Sequence, residues 1–295
     1  MVINSEIIQI KPHSHRKHSI LRKYLEACKR LSDKYKNFVY IDTHGGTGEV
    51  LDLERNKITN GSVLTAAKLQ PSFPCYIVEI NDSRFKLLKK STDKLANVLL
   101  FYGDCNEKID EILERIPKYK KSVFCFVDPD SLVYDSIPQL KYETIEKIAN
   151  FPRSEILLNL PLTSIMRIAG FIRSNPDALS SQKMEKHITI LYRTDDWKKI
   201  DPGDYKSFRK LYIEERFKQF EYKGAILIRS VTTRSPLYYL IYGSKYTLGG
   251  IIMRDIMKKE WVEILGSYSI TRSLYKTDKE WLDAEYPLTL FIFEN

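Results

Sequence analysis

Phe38-Val39-Tyr40-Ile41-Asp42-Thr43-His44-Gly45-Gly46-Thr47-Gly48-Glu49 is an apolar run that ends in a carboxylate and then breaks into three closely spaced glycines. The pattern predicts a buried strand opening into a ligand loop, because glycine lets the backbone approach a bound nucleotide closely. Such loops commonly hold phosphate. Asp42 argues against phosphate here, since a diphosphate on the loop would be repelled while a ligand carrying an ammonium and a sulfonium would be attracted. Leu51 also stands where the third glycine of GxGxxG would be. The expected ligand is therefore S-adenosylmethionine (SAM), with a nicotinamide dinucleotide as the alternative.

Outward from this stretch the chain alternates between apolar runs and helical patterns, as a parallel sheet covered by helices requires. Leu21, Tyr24, Leu25, Cys28, Leu31 and Tyr35 fall at helical spacing before the loop, and Asn60-Gly61-Ser62 opens a helix after it, with Asn60 or Ser62 as its cap. Strands are expected at Cys75–Ile80, Asn97–Tyr102, Ser122–Val127 and Glu155–Leu160. Helices are expected after Asn81-Asp82-Ser83, after Gly103-Asp104-Cys105-Asn106 and from about Pro138 to Asn150. The regular alternation stops at residue 162, and 162–222 reads as a helical, polar insertion rich in Lys, Arg and Tyr. Gly224–Val231 and Leu237–Tyr242 then read as an antiparallel hairpin, followed by a helix from Gly249 to about Lys259.

In an open α/β sheet the ligand lies over the carboxyl ends of the strands, beside the first one. Asp42, Glu79, Asp104 and Asp128 fall at four successive strand ends. Under the SAM reading Asp42 balances the methionine ammonium, Glu79 accepts both ribose hydroxyls and Asp104 receives the adenine amino group. Gly45, Gly46 and Gly48 form the cradle, with His44, Ile80 and Cys105 flanking it. His18 is expected over the pocket, and Ser62 either points its hydroxyl there or caps its helix. Strand ends and helix caps would use the same carboxylates without any ligand. Asp128-Pro129-Asp130 falls at the reacting end, where amino-group methyltransferases place Asp/Asn-Pro-Pro-aromatic to hold the target amine and stack a flipped base. Here Asp130 replaces the second proline and the aromatic is missing, unless Tyr134 supplies it, which weakens base methylation without excluding it; a plain Asp-Pro turn is the alternative.

The 295 residues carry a net charge of +9, which points to an anionic partner, nucleic acid before membrane. The excess is concentrated between Lys11 and Lys36, and a second group from Lys183 to Lys223 has acidic residues interleaved. Cys28, Cys75, Cys105 and Cys125 form no CxxC pair, and His13, His15 and His18 are poorly spaced for a metal, so none is expected. The charged N-terminus and the lack of any run near about 20 apolar residues predict a cytosolic chain without a membrane span.

Lys17-His18 leading to Ile20-Leu21 and Tyr24-Leu25, then Tyr40-Ile41-Asp42 with its glycine loop, Gly61-Ser62, Val78-Glu79, Gly103-Asp104-Cys105-Asn106, Phe126-Val127-Asp128-Pro129 and Tyr238–Tyr242 occur in an order that resembles the three-Cys-motif partner proteins (TcmP) over roughly residues 15 to 260. That resemblance implies a Rossmann-like class I methyltransferase fold, with five parallel strands plus a C-terminal antiparallel hairpin, and a protein partner. Its units would be a SAM-binding α/β core with the basic helix (1–161), the helical insertion (162–222), the final strands and helix of the core (223–260) and an extension (261–295) that could belong to a winged-helix-like module. The departures are Thr43-His44-Gly45-Gly46-Thr47-Gly48 for an aromatic-Ala-Gly-Pro-Gly loop, and Asp128-Pro129-Asp130-Ser131 for Asp-Pro-aromatic-Gly. The function expected is methyl transfer from SAM to a DNA or RNA base, with the basic helix and the insertion framing the cleft. The alternatives are a protein substrate and a SAM- or nucleic-acid-binding partner subunit without turnover.

Overall fold

A computed structural model describes residues 7–30, 38–70, 72–118, 120–230 and 232–266. In chain order the elements are β1 (Ile8–Ile10), α1 (Pro12–Arg30), β2 (Phe38–Asp42), β3 (Glu49–Asp52), β4 (Lys57–Asn60), α2 (Ser62–Ala67), β5 (Cys75–Glu79), α3 (Asp82–Thr92), β6 (Val98–Tyr102) and α4 (Cys105–Glu114). Then follow β7 (Ser122–Val127), β8 (Val133–Tyr134), β9 (Ile137–Pro138), α5 (Tyr142–Asn150), β10 (Ser154–Leu160), α6 (Leu162–Ser174), α7 (Leu179–Tyr192), α8 (Tyr205–Arg216), β11 (Tyr222–Arg229), β12 (Pro236–Ser244) and α9 (Thr247–Gly266).

Seven strands form one sheet in the order β11-β12-β10-β7-β2-β5-β6. β6, β5, β2, β7 and β10 are mutually parallel, and β12 runs antiparallel to both β10 and β11. This is the expected five-strand parallel run plus hairpin, with the hairpin's second strand inserted beside β10. Successive side chains of a strand leave on opposite faces, and here both faces are buried. Val39, Ile41, Val123, Cys125 and Val127 join the core under α4–α8, whereas Phe38, Tyr40, Phe124 and Phe126 join the core under α1, α2 and α9. Such strands read as continuous apolar runs instead of alternating ones, which is why they were visible in the sequence. The chain extends from β2 through β5 to β6, then returns to place β7 on the other side of β2. That reversal makes a crevice at the carboxyl end of β2.

Two small sheets went unforeseen. β1 pairs in parallel with β3, and β3 with β4 antiparallel, forming a small sheet between the glycine loop and α2. This excursion is pinched off at its base, where the Gly61 amide donates to the Gly48 carbonyl at 2.7 Å. β8 and β9 form a hairpin where the α5 helix was expected to begin; its two turn residues, Asp135 and Ser136, both have positive φ. The cap expected at Asn60 or Ser62 is also corrected: Gly61 is the N-cap, without a side-chain bond, and Ser62 is the first helical residue. Residues 162–216 fold as three helices and a short 3-10 turn against α5 and β12. The extension proposed for a winged-helix-like module lies outside the described residues, apart from the end of α9.

Candidate functional site

β2 delivers the chain into the crevice, and hydrogen bonds to the neighbouring strands shape the loop that follows. Thr43 N donates to Phe126 O at 3.1 Å and Gly45 N to Val78 O at 2.7 Å, so the loop is tied to both β7 and β5. Gly48 has φ +77°, and a Cβ there would lie 2.1 Å from Ser91 Oγ, so α3 presses against the loop where no side chain fits.

Asp42 corrects the charge argument. It is fully buried beneath the loop, with Oδ1 accepting from His44 N at 3.1 Å and Oδ2 from Tyr40 OH at 2.9 Å. Burial raises its carboxyl to about 6, against hydrogen bonds from Ser62, Tyr40 and His44 that favour the ionised form. It is absent from the cavity wall, so it braces the loop and the start of α2 instead of facing a ligand.

Glu79 stands at the wall itself. Oε2 accepts from Gly46 N at 2.7 Å and Oε1 from Asn81 N at 2.8 Å, which fixes the carboxylate plane against the loop. Burial raises its carboxyl, opposed by these two amides. Each oxygen keeps a lone pair for a further donor.

The cavity bounded by these groups measures ≈ 280 Å³, close to the lower end of small-ligand pockets, about 300–1,000 Å³. Its wall includes His18, His44, Gly45, Gly46, Gly48, Ser62, Glu79, Ile80, Asp128 and Asp130 of the sequence-derived candidates. A second recess of ≈ 20 Å³ continues past Glu79 and Ile80 to Asp104 and Cys105 beneath the β8–β9 hairpin. Asp104 there is also the N-cap of α4, its Oδ1 accepting from Asn106 N at 2.9 Å and Nδ2 at 2.7 Å. His44 is half-buried, its Nδ1 hydrogen-bonded to Thr43 Oγ1 at 2.8 Å. Burial and the adjacent Lys17 push His18 down to about 4, so both rings are neutral near pH 7.

The far end holds a group that sequence reasoning passed over. Lys17 Nζ, from α1, donates to Asp128 Oδ1 at 2.7 Å and Oδ2 at 2.6 Å, and Asn159 Nδ2 donates to Oδ1 at 2.8 Å. Burial would raise the Asp128 carboxyl, but these partners outweigh it and hold it below the ordinary carboxylate range. Pro129 is buried behind, its carbonyl 3.4 Å from Asn159 Nδ2, while Asp130 is exposed and paired with Arg84 NH1 at 3.1 Å. Lys17-His18 was noted only as a pair in the sequence, with no signal that one side chain crosses to β7. Gln139 was missed entirely; its Oε1 accepts from Asp130 N at 3.1 Å and its Nε2 donates to Ser131 Oγ at 2.9 Å, holding the turn without the missing aromatic. Tyr134 OH accepts from Asn81 Nδ2 at 2.6 Å, so it lies on the Glu79 side of the wall. No residue of 162–216 lines either recess.

No family model matches the chain, and no curated protein does. Among solved structures, protein LPL1258 from Legionella pneumophila str. Philadelphia 1, described with the family model DUF519, is similar over 90% of this chain and 94% of its own, with a TM-score of 0.53 and 15% identity. TYW2 from M. jannaschii, in complex with AdoMet, covers 80% of this chain and 76% of its own at 11% identity and TM-score 0.37. An O-methyltransferase from Bacillus cereus, in complex with SAH, covers 82% and 84% at 10% identity and TM-score 0.41. The fold is Rossmann-like α/β, and SAM-dependent methyltransferases are among the structures similar to it; nothing in these likenesses bears on the TcmP family.

Proposed function

We propose that this chain is a SAM-dependent methyltransferase whose acceptor is an N–H group of a nucleic-acid base. The observation that carries the reading is Glu79, a buried carboxylate on the cavity wall locked by the Gly46 and Asn81 amides, with one lone pair per oxygen left for a further donor. A vicinal diol is the ligand group that uses both. The residues fit a nucleoside: Glu79 takes the ribose hydroxyls, Ile80 and Cys105 flank the recess for the base, and the glycine loop leaves room for the chain that follows. Bound there, SAM supplies a methyl group on a sulfonium, open to direct in-line displacement.

Asp128 then acts at the acceptor. A carboxylate held in its charged form accepts hydrogen bonds well and is a weak base. It therefore orients an N–H acceptor in place of one of its Lys17 bonds, and deprotonation is left to solvent once the nitrogen is methylated. A free hydroxyl acceptor would need a stronger base than this site offers.

One observation favours a second reading. Lys17 already occupies both oxygens of Asp128, and the Asp-Pro-Asp turn lacks the aromatic, so a partner subunit that binds SAM without turnover is the alternative. The resemblance to TcmP proteins, which implies a protein partner, suits that reading, and a protein acceptor would suit the same chemistry. Incubation with methyl-labelled SAM and single-stranded RNA, DNA or protein decides among them. Label in nucleic acid that disappears in Asp128→Ala, with SAH binding intact by calorimetry, is the expected result. SAH binding without transfer to any acceptor would establish the partner reading, and no SAH binding would remove both.

A further inference from the structure

A second, larger recess of ≈ 670 Å³ lies beside the cofactor cavity, between the amino-terminal half of α1, the β3–β4 hairpin and the end of β11. Ile10 and His18 line both spaces. The groove thus runs up to the wall one residue from Lys17, whose ammonium sits on Asp128.

Its charge is distinct from that of the cavity. Arg16, Arg22, Arg55 and Arg229 line it against Asp52 and Glu54. Asp52 is turned inward: its Oδ1 accepts the Glu54 and Arg55 amides at 3.0 Å each and lies 3.2 Å from His15 Nε2. The amino end of α1 opens on the groove at Pro12 and His13, and its first turn holds no acidic residue of its own against the positive end of the helix dipole. Arg22 meets Glu26 at 3.4 Å and Arg55 meets Asp52 at 3.7 Å, both with guanidinium groups more than half exposed. The Arg22–Glu26 pair is exposed on both sides and contributes about 0–1 kcal/mol, so a phosphate can replace Glu26 with little loss; Asp52 is buried, and the exposed Arg55 guanidinium above it stays open to a phosphate on its solvent side.

The second basic group lacks these features. None of residues 162–216 lines the groove, and lysines of that segment are engaged locally: Lys198 with Glu185, Lys199 with Asp196 at 2.7 Å, and Lys210 with Glu214 at 3.8 Å.

We infer that the groove carries the phosphodiester backbone of the substrate, as a single strand, and delivers one base past His18 to Asp128. The inference rests on the nucleic-acid reading above and adds to it the path of the strand. A single strand is the favoured form because its bases reach the recessed Asp128 carboxylate without the unpairing and unstacking that flipping a base from a duplex costs. The β3–β4 excursion thereby gains a function as one bank of the groove.

The test uses the full chain and two fluorescent probes, a single-stranded RNA and a single-stranded DNA oligonucleotide, with anisotropy read between 50 and 200 mM salt. Arg22→Glu/Arg55→Glu is expected to weaken binding at least tenfold. It should also reduce the slope of log K against log salt by about 1.4, at about 0.7 per phosphate contact on a single strand. Melting temperature and SAH affinity should match the unmodified chain, and Lys198→Glu/Lys199→Glu should bind both probes normally. Tighter binding of either probe supports the groove and identifies the strand. Unchanged binding by the Arg22/Arg55 variant, loss in the Lys198/Lys199 variant, or no binding of either probe by the unmodified chain would each overturn it. Because SAH binding is read on the same preparation, failure of the groove and failure of the cofactor reading give different results.

Discussion

At Asp42 the native state holds a carboxylate away from water with three protein donors in contact, Ser62, Tyr40 and His44, and ionising it there is still costly. Its carboxyl lies at about 6 in the fold against 3.8 ordinarily. The group's contribution is therefore fully present below pH 4, where both states are protonated, and is lost as pH rises through about 6. That separation corresponds to about 3 kcal/mol. Asp42→Asn keeps an acceptor for the His44 amide and cannot ionise. Its stability relative to the unmodified chain should thus improve by about 2 kcal/mol between pH 4 and pH 7.5 in urea denaturation. A difference independent of pH would show that the buried carboxyl does not carry this cost. Burial raises the Glu79 carboxyl too, but Glu79 stands on the cavity wall with a lone pair left on each oxygen. Hydrogen bonds to a charged group contribute about 1.5–3 kcal/mol, so Glu79→Gln should weaken SAH binding about 10- to 100-fold by calorimetry; equal affinity would remove Glu79 from the ligand. Both residues end a strand in the sequence, and nothing in the pattern separates them. What distinguishes them is whether the loop folds over the carboxylate or beside it, which depends on backbone bonds to β5 and β7.

Elements with continuous apolar runs were legible because burial on both faces leaves no alternation to misread. The hairpins escaped for a related reason. Glu49-Val-Leu-Asp52 and Lys57-Ile-Thr-Asn60 are only four residues each, and β4 is mostly exposed, so neither offers a run long enough to stand out. Gly243 is a different puzzle, a glycine near the end of an otherwise aromatic strand, where it should weaken the sheet. A Cβ at Gly243 would lie 2.6 Å from the rings of both Phe217 and Phe220. Those two fully buried rings follow α8 and turn the chain into β11, so Gly243 is the point where the helical segment closes on the sheet. Gly243→Ala should destabilise by about 2–3 kcal/mol through overpacking, seen as a lower urea midpoint. Since none of 162–216 lines the cavity, SAH affinity of the folded fraction should be unchanged. A loss of affinity without a loss of stability would connect this segment to the ligand after all.

Across the whole molecule the cavity is assembled from segments that meet only in the folded state: β1 and α1, the glycine loop, the ends of β5 and β7, and the residues around β8–β9. α1 is held in place from the other end of the described chain. Glu260 on α9 is fully buried and accepts from Ser19 Oγ at 2.6 Å and Lys23 Nζ at 2.6 Å, with Arg16 NH1 at 3.5 Å. A ligand that needs all of these walls binds the native state alone and stabilises it by mass action, by about 2.7 kcal/mol at 100 times its Kd. For a chain of this size that corresponds to a rise of about 4 °C in melting temperature. SAH should produce that rise, and Glu79→Gln should reduce it at the same concentration. Glu260→Ala should melt lower without ligand, because Lys23 and Arg16 lose their shared carboxylate, and should also show a smaller rise, because Lys17 and His18 ride on the loosened helix. If Glu260→Ala melts lower but responds to SAH in full, α1 is no part of the ligand's wall, and the path from the arginine groove past His18 to Asp128 has no door.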